Sequence, residues 1–173
     1  MFETPTMTDS TSLPSKQRRT AQSEVKIIRQ RQADVNHSVV TAEVNYAQAP
    51  RPAEKHSPQP CRECPWKREN VGLFPSEAFR YSAHTAYDNS VTTFACHAVA
   101  LEATQICTGF LLRGSFHNLA VRLMLARKLL MPPEDGPVYS ETLFGSYRQM
   151  AEANGVDPSD PVLTRCRAGG YDD

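Results

Sequence analysis

The sequence predicts a small, mainly α-helical, metal-stabilised single domain that has a short β element and follows a disordered N-terminal arm. Residues 116–130 show the clearest apolar spacing, and its period is that of an α-helix. Four of the five cysteines are spaced like the ligands of one metal ion. Residues 1–24 are polar and charged with no hydrophobic period, which is typical of a disordered segment.

Length and charge limit the classes of protein that the chain can belong to. The 173 residues allow one domain of ordinary size, and 19 basic residues balance 19 acidic ones. This balance argues against a strongly basic nucleic-acid binder, although a local basic face remains compatible with it. No apolar run is long enough to span a membrane and no export signal is visible, so we expect no membrane partner. An odd number of cysteines without an export signal indicates a reducing, cytoplasmic location.

The composition changes near residue 58. We expect residues 1–57 to form a disordered or weakly structured arm that ends in a proline-rich linker, and residues 58–170 to form the cysteine-motif domain. Within the arm, residues 25–28 could form one helical turn and residues 39–44 a strand, but neither is long enough to fold alone. All five cysteines, the only tryptophan and six of the seven phenylalanines come after the linker.

The elements expected in the first half of the domain are short. A tight loop is predicted at 61–68, a helix at 77–83 and a strand at 91–96, where β-branched and aromatic residues alternate. An alanine-rich helix is predicted at 97–105, followed by a turn at Gly109.

The second half is predicted to contain the longer helices. Residues 116–130 carry an apolar stripe at i, i+3, i+4 spacing, with Ser115 placed to cap the first amides. Residues 141–153 form a second predicted helix, capped by Ser140, and a short helix is expected at 161–165.

The strongest functional signal is the pair Cys61-x2-Cys64, followed by Cys96 and Cys107. A gap of two residues lets both sulfurs of one loop face the same ion, and two later thiolates can complete a tetrahedron. His97 is a fifth candidate, either as an alternative ligand or as a hydrogen-bonding neighbour of the ligands. Because adjacent side chains usually point apart, Cys96 and His97 are not expected to bind one ion together.

Two metals fit this pattern. Zn²⁺ is favoured because structural zinc is the commoner outcome for a small intracellular Cys₄ domain. A [4Fe–4S] cluster is the alternative, since such sites often combine one C-x2-C pair with scattered cysteines and a proline after a ligand, as at Pro65. A further possibility is that the cysteines are buried separately and bind no common metal. A thiol–disulfide oxidoreductase is disfavoured because no strand leads into the C-x2-C pair. A disulfide pair in an exported protein is disfavoured because no export signal is visible.

Five short motifs follow one another along the domain: CRECPWKR at 61–68, GLFP at 72–75, FACH at 94–97, CTGF at 107–110 and NGV at 154–156. Over residues 58–168 this order resembles a family of small, uncharacterised cysteine-motif proteins of phages, prophages and bacteria. The resemblance implies that the four cysteines form one site with His97 near it. It implies no activity or substrate, and a phage or prophage origin is its only biological implication.

Other residues near the motif have structural and functional interpretations. Trp66 is expected to be a core anchor that seats the loop against the 116–130 helix, rather than a platform for base stacking. Arg62, Lys67 and Arg68 place positive charge beside the thiolates, where they either offset the charge of a Cys₄ metal site or contact phosphate. Cys166 is expected to be a free thiol.

No catalytic residue is predicted, because the sequence has no phosphate-binding glycine loop and no convincing nucleophile–base pair. Whether the protein is an enzyme therefore stays open. The leading hypothesis is an accessory protein whose metal is mainly structural and whose partner is a host or phage protein or a nucleic acid. The alternatives are an iron–sulfur protein for redox chemistry or nucleic-acid processing, and a zinc-finger-like nucleic-acid binder.

Overall fold

The structure is a computed structural model that describes residues 24–45, 56–99 and 105–169. The disorder predicted for the start of the arm, and most of the predicted linker, fall outside these residues. Helices predominate over a single two-stranded sheet in the described part, which confirms a mainly helical chain with a short β element. None of the helices in these three ranges is long and apolar enough to cross a membrane.

A β-hairpin lies in the region predicted to be the arm. Its strands are β1 (Glu24–Gln32) and β2 (Ser38–Asn45), which pair antiparallel. The strand predicted at 39–44 is confirmed. The helical turn predicted at 25–28 is wrong, because residues 25–27 pair with β2 instead of forming local helical contacts, and Ile28 is the extra residue of a β-bulge. The carboxylate of Asp34 accepts hydrogen bonds from two backbone N–H groups and so stabilises the connecting turn.

Five α-helices lie in the described residues after the hairpin. The helix predicted at 77–83 is confirmed as α1, and the one predicted at 161–165 is a shorter 3-10 turn at Pro161–Leu163. The α-helices are α1 (Ser76–Ser82), α2 (Thr108–Arg113), α3 (Leu119–Ala126), α4 (Pro137–Thr142) and α5 (Tyr147–Ala153).

Helix α3 is shorter than the helix predicted at 116–130 and has a different cap. The buried side chain of Asn118 accepts from the N–H of the third helical residue at 3.0 Å, so the helix begins after it. Ser115, the predicted cap, instead donates to the carbonyl of Leu111 in α2. The helix ends near Lys128, whose φ of 55° is left-handed and incompatible with further α-helix.

The helix predicted at 141–153 is two helices. Phe144 N–H donates to the carbonyl of Trp66 at 2.9 Å, so the backbone leaves the helical path to bind the loop that follows the C-x2-C pair. The chain resumes as α5, capped by Ser146 rather than by Ser140. Tertiary hydrogen bonding therefore overrides the helical spacing of this segment.

Two of the predictions for residues 91–109 are wrong, and a third lies largely outside the described residues. Residues 91–96 make only one isolated bridge, between Ala95 and Ile106, and are not a strand. Residues 97–99 are in turn and bend conformations, while the rest of the helix predicted at 97–105 lies largely outside the described residues. Gly109 is not in a turn, because it belongs to α2.

The core is built around Trp66, which is completely buried. Its indole ring lies 6.0 Å from the ring of Tyr147 in α5 and 6.3 Å from the rings of Phe94 and Phe110. Trp66 is thus a core anchor, although its aromatic partners lie on α2, α5 and the segment before α2 rather than on α3. Its full burial removes it as a base-stacking platform.

Candidate metal centre

The C-x2-C loop is held in a tight turn by backbone and side-chain hydrogen bonds. Cys64 N–H donates to the carbonyl of Cys61 at 3.2 Å. The amide of Asn70, a buried residue, donates to the carbonyls of Arg62 and Cys64, each at 2.9 Å. Asn70 therefore satisfies two carbonyl groups of the loop and fixes the backbone path that carries both cysteines.

The other two cysteines are brought together by two paired extended segments. Cys96 N–H donates to the carbonyl of Gln105 at 2.7 Å, and Cys107 N–H donates to the carbonyl of Phe94 at 2.9 Å. This pairing fixes Cys96 and Cys107 beside each other although ten residues separate them in the sequence.

Helix α2 begins immediately after Cys107, and its first amides point at sulfur. The N–H groups of Gly109 and Trp66 lower the pKa of the Cys64 thiol, and the N–H of Phe110 acts in the same direction on that of Cys107. Each of these N–H groups favours the thiolate form, the form that binds a metal.

Two donor–donor distances match the edges of a zinc coordination tetrahedron. The Sγ atoms of Cys64 and Cys107 lie 3.7 Å apart, and Cys61 Sγ lies 3.4 Å from His97 Nε2. Zn–S bonds of 2.3 Å and Zn–N bonds of 2.0 Å would give tetrahedral edges of about 3.8 Å for S···S and about 3.5 Å for S···N.

The donors nevertheless form pairs and not a finished coordination sphere. In the described part of the chain, no three His, Cys, Asp or Glu side chains gather closely enough to form a ready metal site. Cys61 connects the pairs, because it interacts with Cys64, with Cys96 and with His97.

Burial and mutual repulsion control the ionisation of the thiols. Burial, followed by the nearby sulfurs of Cys64 and Cys96, raises the pKa of Cys61 to about 12. The hydrogen bond between Cys64 and Cys107 lowers the pKa of Cys64, and together with burial it raises the pKa of Cys107. In the absence of a metal, Cys61 and Cys107 therefore keep their protons at neutral pH, and any metal that binds must displace them.

His97 lies at the outer edge of this cluster. Its ring meets that of Phe74 edge-on at 5.0 Å, and partial burial lowers its pKa, which favours the neutral imidazole that metals bind. Cys96 and His97 both lie against Cys61, and the expectation that they do not bind one ion together stays a prediction.

The three cations near the cysteines have different surroundings. Lys67 forms an ion pair with Glu69 at 3.3 Å, and the guanidinium of Arg68 lies 5.0 Å from the ring centre of Phe144. Arg62 is exposed to solvent. Lys67 and Arg68 thus already have partners within the protein, and a phosphate contact by any of the three stays a prediction.

Cys166 lies away from the candidate ligands. Its buried thiol points at the carbonyl of Ala83 at 3.8 Å, and burial raises its pKa to about 11. It is a free thiol, as expected.

Sequence reasoning missed two supporting residues, Asn70 and Gly109. A Cβ atom on Gly109 would lie 2.8 Å from Cys64 Sγ and 2.7 Å from Trp66 Cβ, so only glycine fits there. The available signal is a glycine two residues after a candidate ligand, a pattern that by itself predicts a turn. Nothing in the sequence marks Asn70 as the residue that closes the loop.

Replacing Asn70 by alanine is expected to loosen the C-x2-C loop. The change leaves two carbonyls without their donor, which should cost about 1–3 kcal/mol of unfolding free energy. It should also weaken metal binding by about 10–100-fold, as is usual when a residue that orients ligands is lost. Urea unfolding and competition with a chromophoric chelator measure the two effects. Unchanged metal affinity in a folded N70A variant would contradict this role.

All the candidate ligands lie within the part of the chain that matches a known family. No curated protein and no solved structure matches the chain significantly. A family of unknown function does match, over residues 56–167, and the hairpin precedes this region. This agrees with the resemblance to an uncharacterised family without a settled activity. The chain belongs to the family of unknown function DUF6283.

Proposed function

We propose that this protein is a small zinc-binding accessory module in which the metal has a structural role. The ligands are Cys61, Cys64, Cys96 and Cys107, with His97 as an alternative ligand or as a hydrogen-bond donor to Cys61. The observation that carries the proposal is the 3.7 Å separation of the buried Cys64 and Cys107 sulfurs, which fits one edge of a tetrahedral thiolate site.

The metal would connect parts of the chain that are distant in sequence. The C-x2-C loop precedes α1, whereas Cys107 lies at the start of α2. Within the protein, Trp66 and its aromatic neighbours Phe94 and Phe110 also join these parts. A structural zinc supplies on the order of 10 kcal/mol of binding free energy, which is enough to determine whether such a small domain folds.

The distances favour a single ion over an iron–sulfur cluster. In a [4Fe–4S] cluster each thiolate binds a different iron, so the ligand sulfurs are separated by the cluster itself. Sulfurs that share one ion approach to within a single tetrahedral edge, as Cys64 and Cys107 do.

Metal analysis of protein purified without oxygen tests the proposal. We expect a colourless protein with stoichiometric zinc by elemental analysis. A brown protein that absorbs at about 400 nm and contains iron and sulfide would show that the metal centre is an iron–sulfur cluster instead of zinc. That result would support a redox or nucleic-acid-processing role. Protein that contains neither metal and does not bind added Zn²⁺ would overturn the metal centre altogether.

The cellular setting belongs to the same proposal. Thiolate ligands without disulfides suit a reducing cytoplasm, and the family resemblance supports a phage- or prophage-related role. In that setting the module would act by binding a host protein, a phage protein or a nucleic acid. Fractionation of cells that express the full chain would test the location.

A further inference from the structure

Strand β1 carries three cations, Lys26, Arg29 and Arg31. In a regular strand, side chains alternate between the two faces of the sheet, so residues 26 and 29 would lie on opposite faces. A regular β1 would therefore separate Lys26 from the two arginines.

A β-bulge changes this arrangement. Ile27 pairs with Ala42 and Arg29 pairs with Thr41, which leaves Ile28 as an extra residue. Because Lys26 pairs with Glu43, two residues along β2 from Thr41, Lys26 shares a face with Arg29.

The same pairing places Arg31 on this face, opposite Val39. We call Lys26, Arg29 and Arg31 the cationic row. Arg29 and Arg31 are separated by two strand rises, about 6.8 Å, and the bulge lies between Lys26 and Arg29.

The cationic row is accessible and poorly neutralised. Lys26 and Arg29 are exposed, and the guanidinium of Arg31 lies 4.7 Å from the ring centre of Tyr81 in α1. Within the described residues none of the three forms an ion pair, and Glu43 opposite Lys26 is the nearest acid by strand pairing.

Several arginines elsewhere in the fold are compensated. Arg80, Arg113 and Arg148 each form an ion pair with an acidic side chain. The strand sets the spacing of the three cations in the cationic row, and the aromatic ring of Tyr81 holds one of them in place. Their positions are therefore more ordered than those of cations on a generally solvated surface.

We propose that the cationic row binds the phosphodiester backbone of single-stranded nucleic acid. A phosphodiester chain carries one negative charge per nucleotide at regular intervals, which a file of cations can follow. A single file suits one backbone, because single-strand sites combine positive charge that follows the backbone with flat side chains on which bases stack. Tyr81 holds the Arg31 guanidinium as a flat surface on which a base can stack.

This surface is separate from the proposed metal centre. The hairpin precedes residues 56–167, the part that matches the family, and none of the candidate ligands lies on it. The proposal therefore does not depend on the identity of the metal.

The first test measures binding of the full chain to a fluorescent single-stranded DNA oligonucleotide of mixed sequence by anisotropy. The variant K26A/R29A/R31A should bind at least about tenfold more weakly at moderate salt. Its plot of log K against log salt should be shallower by about 2, because each lost phosphate contact removes about 0.7 from the slope. The matched control R122A/R127A/K128N removes three exposed cations at α3 and should stay within about twofold of wild type.

A second variant tests the geometry without changing composition or charge. K26I/I27K moves the lysine to the opposite face, where Ile27 is already 51% exposed. It should lose as much affinity as K26A, while circular dichroism and thermal melting stay like those of wild type. Retained affinity in a folded K26I/I27K variant would overturn the alignment argument.

Other outcomes would also overturn the proposal. The first is absence of binding to the oligonucleotide even at low salt. The second is an equal loss in the α3 control, which would indicate general electrostatic attraction. The third is tighter binding to a duplex of the same sequence, or equal competition by a sulfated polysaccharide, since neither is expected of a single-strand site.

Discussion

Replacing Cys64 by serine is expected to abolish stoichiometric metal binding and the cooperative unfolding of the domain. Cys64 contacts both Cys61 and Cys107, and its sulfur receives two backbone N–H groups, so it is central to the cluster. A serine hydroxyl stays protonated at neutral pH and cannot supply the thiolate. Loss of a structural zinc removes on the order of 10 kcal/mol, which exceeds the net stability of many small domains.

Cys166 provides the matched control for this change. It is also buried, but it lies against the carbonyl of Ala83 and outside the cluster. C166S should retain its metal and a cooperative thermal transition, with only a modest decrease in Tm. If C64S bound zinc as wild type does and melted at the same temperature, the proposed role of Cys64 would be wrong.

Gly109→Ala is expected to have the second largest effect. The new methyl group would meet the sulfur of Cys64 at 2.8 Å and Cβ of Trp66 at 2.7 Å, both far inside contact distance. Neither neighbour can move freely, because Trp66 is fully buried and Cys64 is a candidate ligand. We expect a loss of about 3 kcal/mol or more in unfolding free energy, together with weaker metal binding.

Gly136→Ala is the control for the substitution itself. A Cβ atom at Gly136 meets nothing within 4 Å, and its backbone is extended. This variant should unfold within about 1 kcal/mol of wild type, as expected for a surface change. Chemical denaturation of the two alanine variants, each with and without added zinc, provides the comparison. Equal stability of G109A and wild type would contradict the close packing of α2 on the C-x2-C loop.

The elements that were predictable are those that local sequence determines. Helix α1 and strand β2 follow from local patterns, and both are observed. The helix predicted at 141–153 fails because its residue Phe144 forms a backbone hydrogen bond with Trp66, a contact between distant segments. The pairing of β1 with β2 is also nonlocal, so the helical turn expected at 25–28 could not be rejected from sequence.

For the candidate site, residue types and spacing identify the donors but not their arrangement. The C-x2-C pair singles out Cys61 and Cys64, yet only the fold shows that Cys64 and Cys107 form the buried edge. The approach of both Cys96 and His97 to Cys61 depends on the backbone pairing before α2, which sequence spacing does not encode. The bulge at Ile28 is hidden from sequence for the same reason.

The most direct test of the metal centre is X-ray absorption at the zinc edge of the full-length protein, purified with its metal. The proposal predicts a four-coordinate shell with at least three sulfur atoms at about 2.3 Å, and a nitrogen at about 2.0 Å if His97 is a ligand. A shell with fewer than three sulfur atoms would show that these cysteines do not share an ion as proposed and would contradict the account.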